Sequence, residues 1–103
     1  MKYMNLFALR QGTQAEYRRR HDEIWPEMLE MMEAEGLKNY SIWNTGTTLI
    51  EYFECDDLEL AKRISANSPV KQRWDAYMGD ILVFDEQTGK MKPLECMFEF
   101  NGH

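Results

Sequence analysis

Pro26 is the residue that most constrains how this chain can fold. It stands in the run Glu16-Tyr17-Arg18-Arg19-Arg20-His21-Asp22-Glu23-Ile24-Trp25-Pro26-Glu27. Its ring removes a backbone donor and disfavours helical geometry at Trp25, so a helix entering from the N-terminal side breaks or kinks between His21 and Pro26. Gly12-Thr13 supplies a turn and an N-cap for that first helix, with Glu16 three residues after Thr13 as in a capping box. A helix is therefore predicted from there through about Arg20. The next helix restarts with Pro26 in its first turn, Met28, Leu29, Met31 and Met32 as its apolar stripe and Gly36 as its C-terminal cap. The break leaves His21, the only internal histidine, near a helix end. Tyr17 lies four residues earlier on the same face.

The segments around this broken helix read as strands and further helices. Residues 3–10 form a strand that is apolar on both faces, with Tyr3, Asn5, Phe7 and Leu9 on one side. Lys38–Trp43 and Thr48–Cys55 are strands joined by a Gly-containing link that suits a hairpin. Asp56 or Asp57 caps a helix with the stripe Leu58, Ala61 and Ile64. Ser68-Pro69 opens another helix over about 69–78, with Val70, Trp74, Tyr77 and Met78 on one face. Ile81–Phe84 is a short apolar run of either type, and Asp85–Lys90 a polar turn. Pro93–Phe100 alternates as a strand, with Leu94, Cys96, Phe98 and Phe100 on one face. The order β-α-β-β-α-β predicts an α+β, ferredoxin-like split βαβ fold with an antiparallel sheet, in a single domain over 1–103. One sheet face is then covered by helices, and the other meets solvent, a ligand or a second subunit.

Charge and motif content remove several functions. With 18 acidic and 12 basic side chains and a formal net charge of −6, the chain lacks the basic surface that nucleic acid or an anionic membrane rewards. No apolar run approaches the ~20 residues of a membrane span, and Met1–Arg10 does not read as a signal peptide. Cys55 and Cys96 belong to no CxxC pattern and fit a reduced, cytoplasmic chain at least as well as a disulfide. There is no GxGxxG, no P-loop, no GxSxG and no Cys/His cluster with zinc spacing, so neither nucleotide cofactor nor metal is expected.

What remains is proton transfer in a shaped pocket. An imidazole titrates near neutral pH and serves as acid or base, and the phenols of Tyr17 and Tyr40 donate or accept hydrogen bonds. Trp74 offers a flat apolar surface for the C–H face of a sugar or for an aliphatic ring. The same residues also suit plain structural roles: a surface histidine after three arginines, a tyrosine at the helix–sheet seam, and a core tryptophan. Residue types and spacing alone leave both readings open.

Three ordered blocks carry a resemblance. Glu16-Tyr17-Arg18-Arg19-Arg20-His21 with Ile24-Trp25-Pro26-Glu27, then Gly36, Asn39-Tyr40 and Ile42, then Gln72-Arg73-Trp74 with Tyr77-Met78, together resemble the L-rhamnose mutarotases over essentially the whole chain. The resemblance implies a fold of the dimeric α/β-barrel type. It implies cofactor-independent interconversion of the α and β anomers of a 6-deoxy hexopyranose, most simply L-rhamnose, by a cytoplasmic homodimeric isomerase. It also implies that His21 is the proton donor, that Tyr17 shares the catalysis, and that Tyr17, Tyr40 and Trp74 bind the sugar. Where the family pattern has a second tryptophan after the one matching Trp74, this chain has Asp75. A carboxylate there accepts hydrogen bonds from sugar hydroxyls and is expected to shift sugar preference. Two other readings use the same pocket: a cofactor-independent monooxygenase on a similar dimeric scaffold, and a non-catalytic sugar-binding domain.

Overall fold

The structure is a computed structural model that describes residues 1–83 and 91–102. Its elements in chain order are β1 (Lys2–Leu9), α1 (Gln14–Asp22), α2 (Pro26–Ala34), β2 (Lys38–Thr45), β3 (Thr48–Glu54), α3 (Leu58–Ala66), α4 (Pro69–Met78), β4 (Leu82–Val83) and β5 (Lys92–Pro93). The sheet runs β2-β3-β1-β4, every pairing is antiparallel, and β5 pairs with β1 beyond β4. This is the ferredoxin-like α+β arrangement, with each helical crossover divided into two shorter helices. The predicted polar turn Asp85–Lys90, and Phe84 of the preceding apolar run, lie outside the described residues.

Local signals account for most boundaries. Trp25 is extended and Pro26 opens α2, so the break falls where proline chemistry requires it. At the other end of α2, Gly36 adopts φ +75°. Its N–H bonds the Glu33 carbonyl and that of Leu37 bonds Met32, a glycine-dependent Schellman closure. Asp57 and Ser68 cap α3 and α4 through the N–H groups of Leu60 and Lys71. The expected capping box of α1 does not form. The Thr13 hydroxyl donates to the Arg10 carbonyl, and Glu16 is drawn to Arg19 and Arg20 instead.

Arg20 also departs from the solvated face expected of the arginine run. It is buried, and its guanidinium bonds the Glu16 and Asp80 carboxylates and the Tyr77 carbonyl. A buried arginine needs such a full set of acceptors. This set locks the last turn of α1 to the end of α4.

Alternation along the central strands sends one set of side chains under the helices. Phe7, Leu9 and Leu49 pack with Tyr17, Met28, Met31, Trp74 and Met78 in the main core, while Phe53, Cys55 and Ala61 form a smaller cluster beside it. The opposite phase faces outward on a sheet surface that no helix among the described residues covers, where Met4 and Trp43 are 40% and 68% exposed.

The C-terminal strand expected over Pro93–Phe100 is mostly absent. Only Lys92–Pro93 pairs with β1, followed by one bond from the Leu94 N–H to the Met4 carbonyl. A strand needs a neighbour for its backbone groups, and the described residues provide none past this point. The segment runs on outside the ladder, with Met97, Phe98 and Phe100 at least 80% exposed.

Candidate active site

A cleft of about 710 Å³ opens between the covered sheet face and the helices, and it brings together residues far apart in sequence. Tyr17 and His21 reach it from α1, Trp74 and Asp75 from α4, and Tyr40 from β2. All five residues singled out from the sequence therefore line one cavity. Its volume falls in the range of small-molecule sites.

The end of α1 sets the histidine. The Tyr17 and His21 rings stack at 4.3 Å between centroids, and the edge of His21 meets Trp74 at 5.3 Å and 89°. Nδ1 of His21 lies 3.0 Å from the Tyr17 backbone carbonyl, four residues back on the helix. A carbonyl only accepts, so Nδ1 carries a proton and Nε2 is the ring nitrogen with a lone pair. Burial lowers the His21 pKa, partly opposed by this backbone bond, and so favours the neutral ring with a free lone pair on Nε2.

The two phenols differ. Burial, and then the charge of Glu51, raise the Tyr17 pKa and hold its proton in place. Among the described residues no group hydrogen-bonds the Tyr17 hydroxyl, which leaves it available to a ligand as a donor. The Tyr40 hydroxyl instead donates to Glu51 Oε2 in a very short bond, and its pKa is raised well above the usual value by burial and by Glu51.

A backbone irregularity aims Tyr40 into the cleft. The β2–β3 register shifts between Lys38 and Ser41, and Asn39 adopts φ +51°. This β-bulge moves Lys38 to the open face while keeping Tyr40 in phase with Ile42 over the cleft. Asparagine tolerates the left-handed backbone better than most residues.

Asp75 lies on the cleft wall in an ion pair with Lys71, whose Nζ is 2.5 Å from Oδ1. Asp75 thus enters the site already joined to an ammonium group, so the pair presents both a donor and an acceptor.

Several polar residues of the cleft were not singled out as site residues in the sequence, among them Lys71, Asn5, Glu51 and Glu35. Glu51 is only 6% exposed and Asn5 donates to it at 2.9 Å. Glu35, at the end of α2, has its carboxyl raised to about 7 by burial, with Lys71 opposing and Glu51 adding to the rise. The available signal was phase: Glu51 sits between Leu49 and Phe53 on the buried alternation of β3, where a carboxylate is out of place. Among the described residues no group of three or more His, Cys, Asp or Glu side chains could hold a metal ion. No helix among them is long and apolar enough to cross a membrane.

Comparison with known proteins gives a consistent result. The chain matches the family model for L-rhamnose mutarotase over residues 2–100. It is 36% identical over 101 residues to an L-rhamnose mutarotase of Jannaschia sp., covering 94% of this chain and 95% of the relative. A Listeria monocytogenes L-rhamnose mutarotase is 39% identical over 80 residues, 76% of each chain. Among solved structures, an L-rhamnose mutarotase from Formosa agariphila superposes with a TM-score of 0.84 at 24% identity, covering 98% of this chain and 99% of that one.

Proposed function

We propose, for a chain that belongs to the L-rhamnose mutarotase family, that it is an isomerase interconverting the α and β anomers of L-rhamnose, with His21 as the proton carrier. One observation carries the role of His21: its Nδ1 is tied to the Tyr17 carbonyl, which commits Nε2 to the cleft chemistry. Neutral Nε2 takes the proton of the anomeric hydroxyl. As the anomeric carbon–oxygen bond gains double-bond character, the bond to the ring oxygen breaks and its electron pair stays on that oxygen. The imidazolium Nε2–H then protonates it. Both oxygens are bonded to the same carbon, so one nitrogen can serve both. After rotation about the bond between the first two carbons, the same transfers run in reverse and close the ring on the other face. Protons balance over the cycle, and His21 is the proton donor in its charged phase.

The other residues assist this carrier. The Tyr17 hydroxyl, held protonated, donates to the ring oxygen as negative charge develops there. Trp74 packs an apolar sugar face, while Tyr40 and the Lys71–Asp75 pair bind hydroxyls. The test is saturation transfer between the two anomeric proton signals of L-rhamnose, repeated on a panel of other 6-deoxy sugars. His21→Asn is expected to slow exchange by about 100-fold or more while sugar binding persists. Undiminished exchange in that variant removes His21 from the mechanism, and inactivity of the native chain on every sugar removes the activity.

The assembly follows from the uncovered face. We infer a homodimer in which the open sheet surface, with Met4 and Trp43, and the unpaired apolar arm of Met97, Phe98 and Phe100 meet a second copy. The free thiols of Cys55 and Cys96 suit a reducing compartment, which favours the cytoplasm.

A further inference from the structure

Glu51 is the most anomalous side chain of the covered sheet face. It belongs to β3, the strand flanked by β2 on one side and β1 on the other, and it is 6% exposed. A carboxylate left unpaired in that position is strongly disfavoured. Each flanking strand sends one donor to meet it. Asn5 of β1, directly opposite in register, gives an amide N–H to Oε1, and Tyr40 of β2 gives its hydroxyl proton to Oε2. The Asn39 bulge is the feature that delivers Tyr40 to this bond.

The bond has a consequence for the cleft. A phenol has one proton, and that of Tyr40 is directed at Glu51, so only oxygen lone pairs remain for a ligand. Tyr17 and Tyr40, equivalent as residue types, therefore present opposite polarity: Tyr17 donates and Tyr40 accepts. We propose that Glu51 is a positioning residue that holds Tyr40 as an obligate hydrogen-bond acceptor, so that the pocket selects a sugar presenting a hydroxyl donor at that edge. This rests on the sugar reading above, and it adds a specificity element that works through Tyr40 without touching the substrate.

Glu51→Gln is the sharpest probe, because it changes polarity at nearly constant shape. With the Gln carbonyl facing the Asn5 amide, its N–H₂ faces Tyr40 and donates to the phenol oxygen. The Tyr40 proton then turns toward the sugar, whose hydroxyl keeps the contact only by rotating to accept and so gives up the donor bond it makes to native Tyr40. The expected result is a rise in KM for L-rhamnose of about 10- to 100-fold with kcat within about threefold, the pattern of lost uniform binding. Tyr40→Phe should raise KM over a similar range. The double variant should be no worse than the poorer single one, since the two residues act as a unit. Unchanged KM in Tyr40→Phe overturns the proposal even if Glu51→Gln fails to fold. So does unchanged KM in a folded Glu51→Gln.

A second readout needs no sugar. The native chain should show a downfield, slowly exchanging hydroxyl proton in its NMR spectrum that disappears in both single variants. Its absence from the native chain overturns the proposal whatever the exchange rate. Absence of anomer exchange in a native chain that shows the resonance overturns the mutarotase reading alone.

Discussion

The two faces of one sheet divide the work of this molecule. On the covered face, β1 and β3 place Phe7, Leu9, Leu49 and Phe53 under the helices, yet the same phase also carries Asn5 and Glu51. On the open face the alternate residues include Met4 and Trp43, apolar and exposed. Polar residues in the core and apolar residues on the surface each invert the ordinary expectation. The inversions have different causes. A buried polar group is tolerated where partners satisfy it, and here those partners line the cleft. An exposed apolar group on a sheet face or an unpaired arm signals something that covers it.

Two tryptophans give the widest contrast between the faces. Trp74 is 7% exposed and packs against His21, Trp25 and Tyr77. Trp74→Ala should destabilise the chain by about 3–5 kcal/mol in urea titration. Trp43, 68% exposed, should change monomer stability by less than about 0.5 kcal/mol on the same substitution. Comparable losses at both sites would erase the distinction. The next effect belongs to the open side alone. Replacing Phe98 and Phe100 together by Asp should raise the dimer dissociation constant by about tenfold or more in sedimentation. The near-ultraviolet signature of the Trp74 cluster should stay as in the native chain. A native chain that sediments as a monomer removes the homodimer.

What was legible in the sequence follows the same division. The break at Pro26, the caps at Gly36, Asp57 and Ser68, and the helix over 69–78 rest on local chemistry, and they stand where local rules place them. Residue chemistry together with the family resemblance singled out His21, Tyr17, Tyr40 and Trp74, and the fold gathers them on one cleft. Alternation failed at Pro93–Phe100 because it reports which faces want burial and not whether a neighbouring strand exists. Leu94 makes its bond to Met4, and beyond it the described residues supply no ladder. Glu51 was missed for the opposite reason. Its partners Asn5 and Tyr40 lie 46 and 11 residues away, and only the register of three strands brings them together. The bulge at Asn39 that completes the set is likewise a property of the pairing and not of the strand pattern.

Glu35 offers the finest test of the covered side. Burial raises its carboxyl from 4.5 to about 7, with Lys71 pulling down and Glu51 pushing up. The folded chain therefore holds a proton that the unfolded chain has released between those two values. Stability from this group is complete below about pH 4.5, falls as pH rises through 7, and stays level above it. Glu35→Gln should abolish that fall: unfolding free energies coincide near pH 4, and the variant gains at pH 8. The full shift corresponds to roughly 3 kcal/mol, which partial exposure to solvent reduces to about 1 kcal/mol. Denaturant midpoints of both chains across this range measure the difference. A variant less stable than the native chain at pH 8 would mean that the Lys71 attraction outweighs desolvation, and that the cleft holds Glu35 as a charged partner of Lys71.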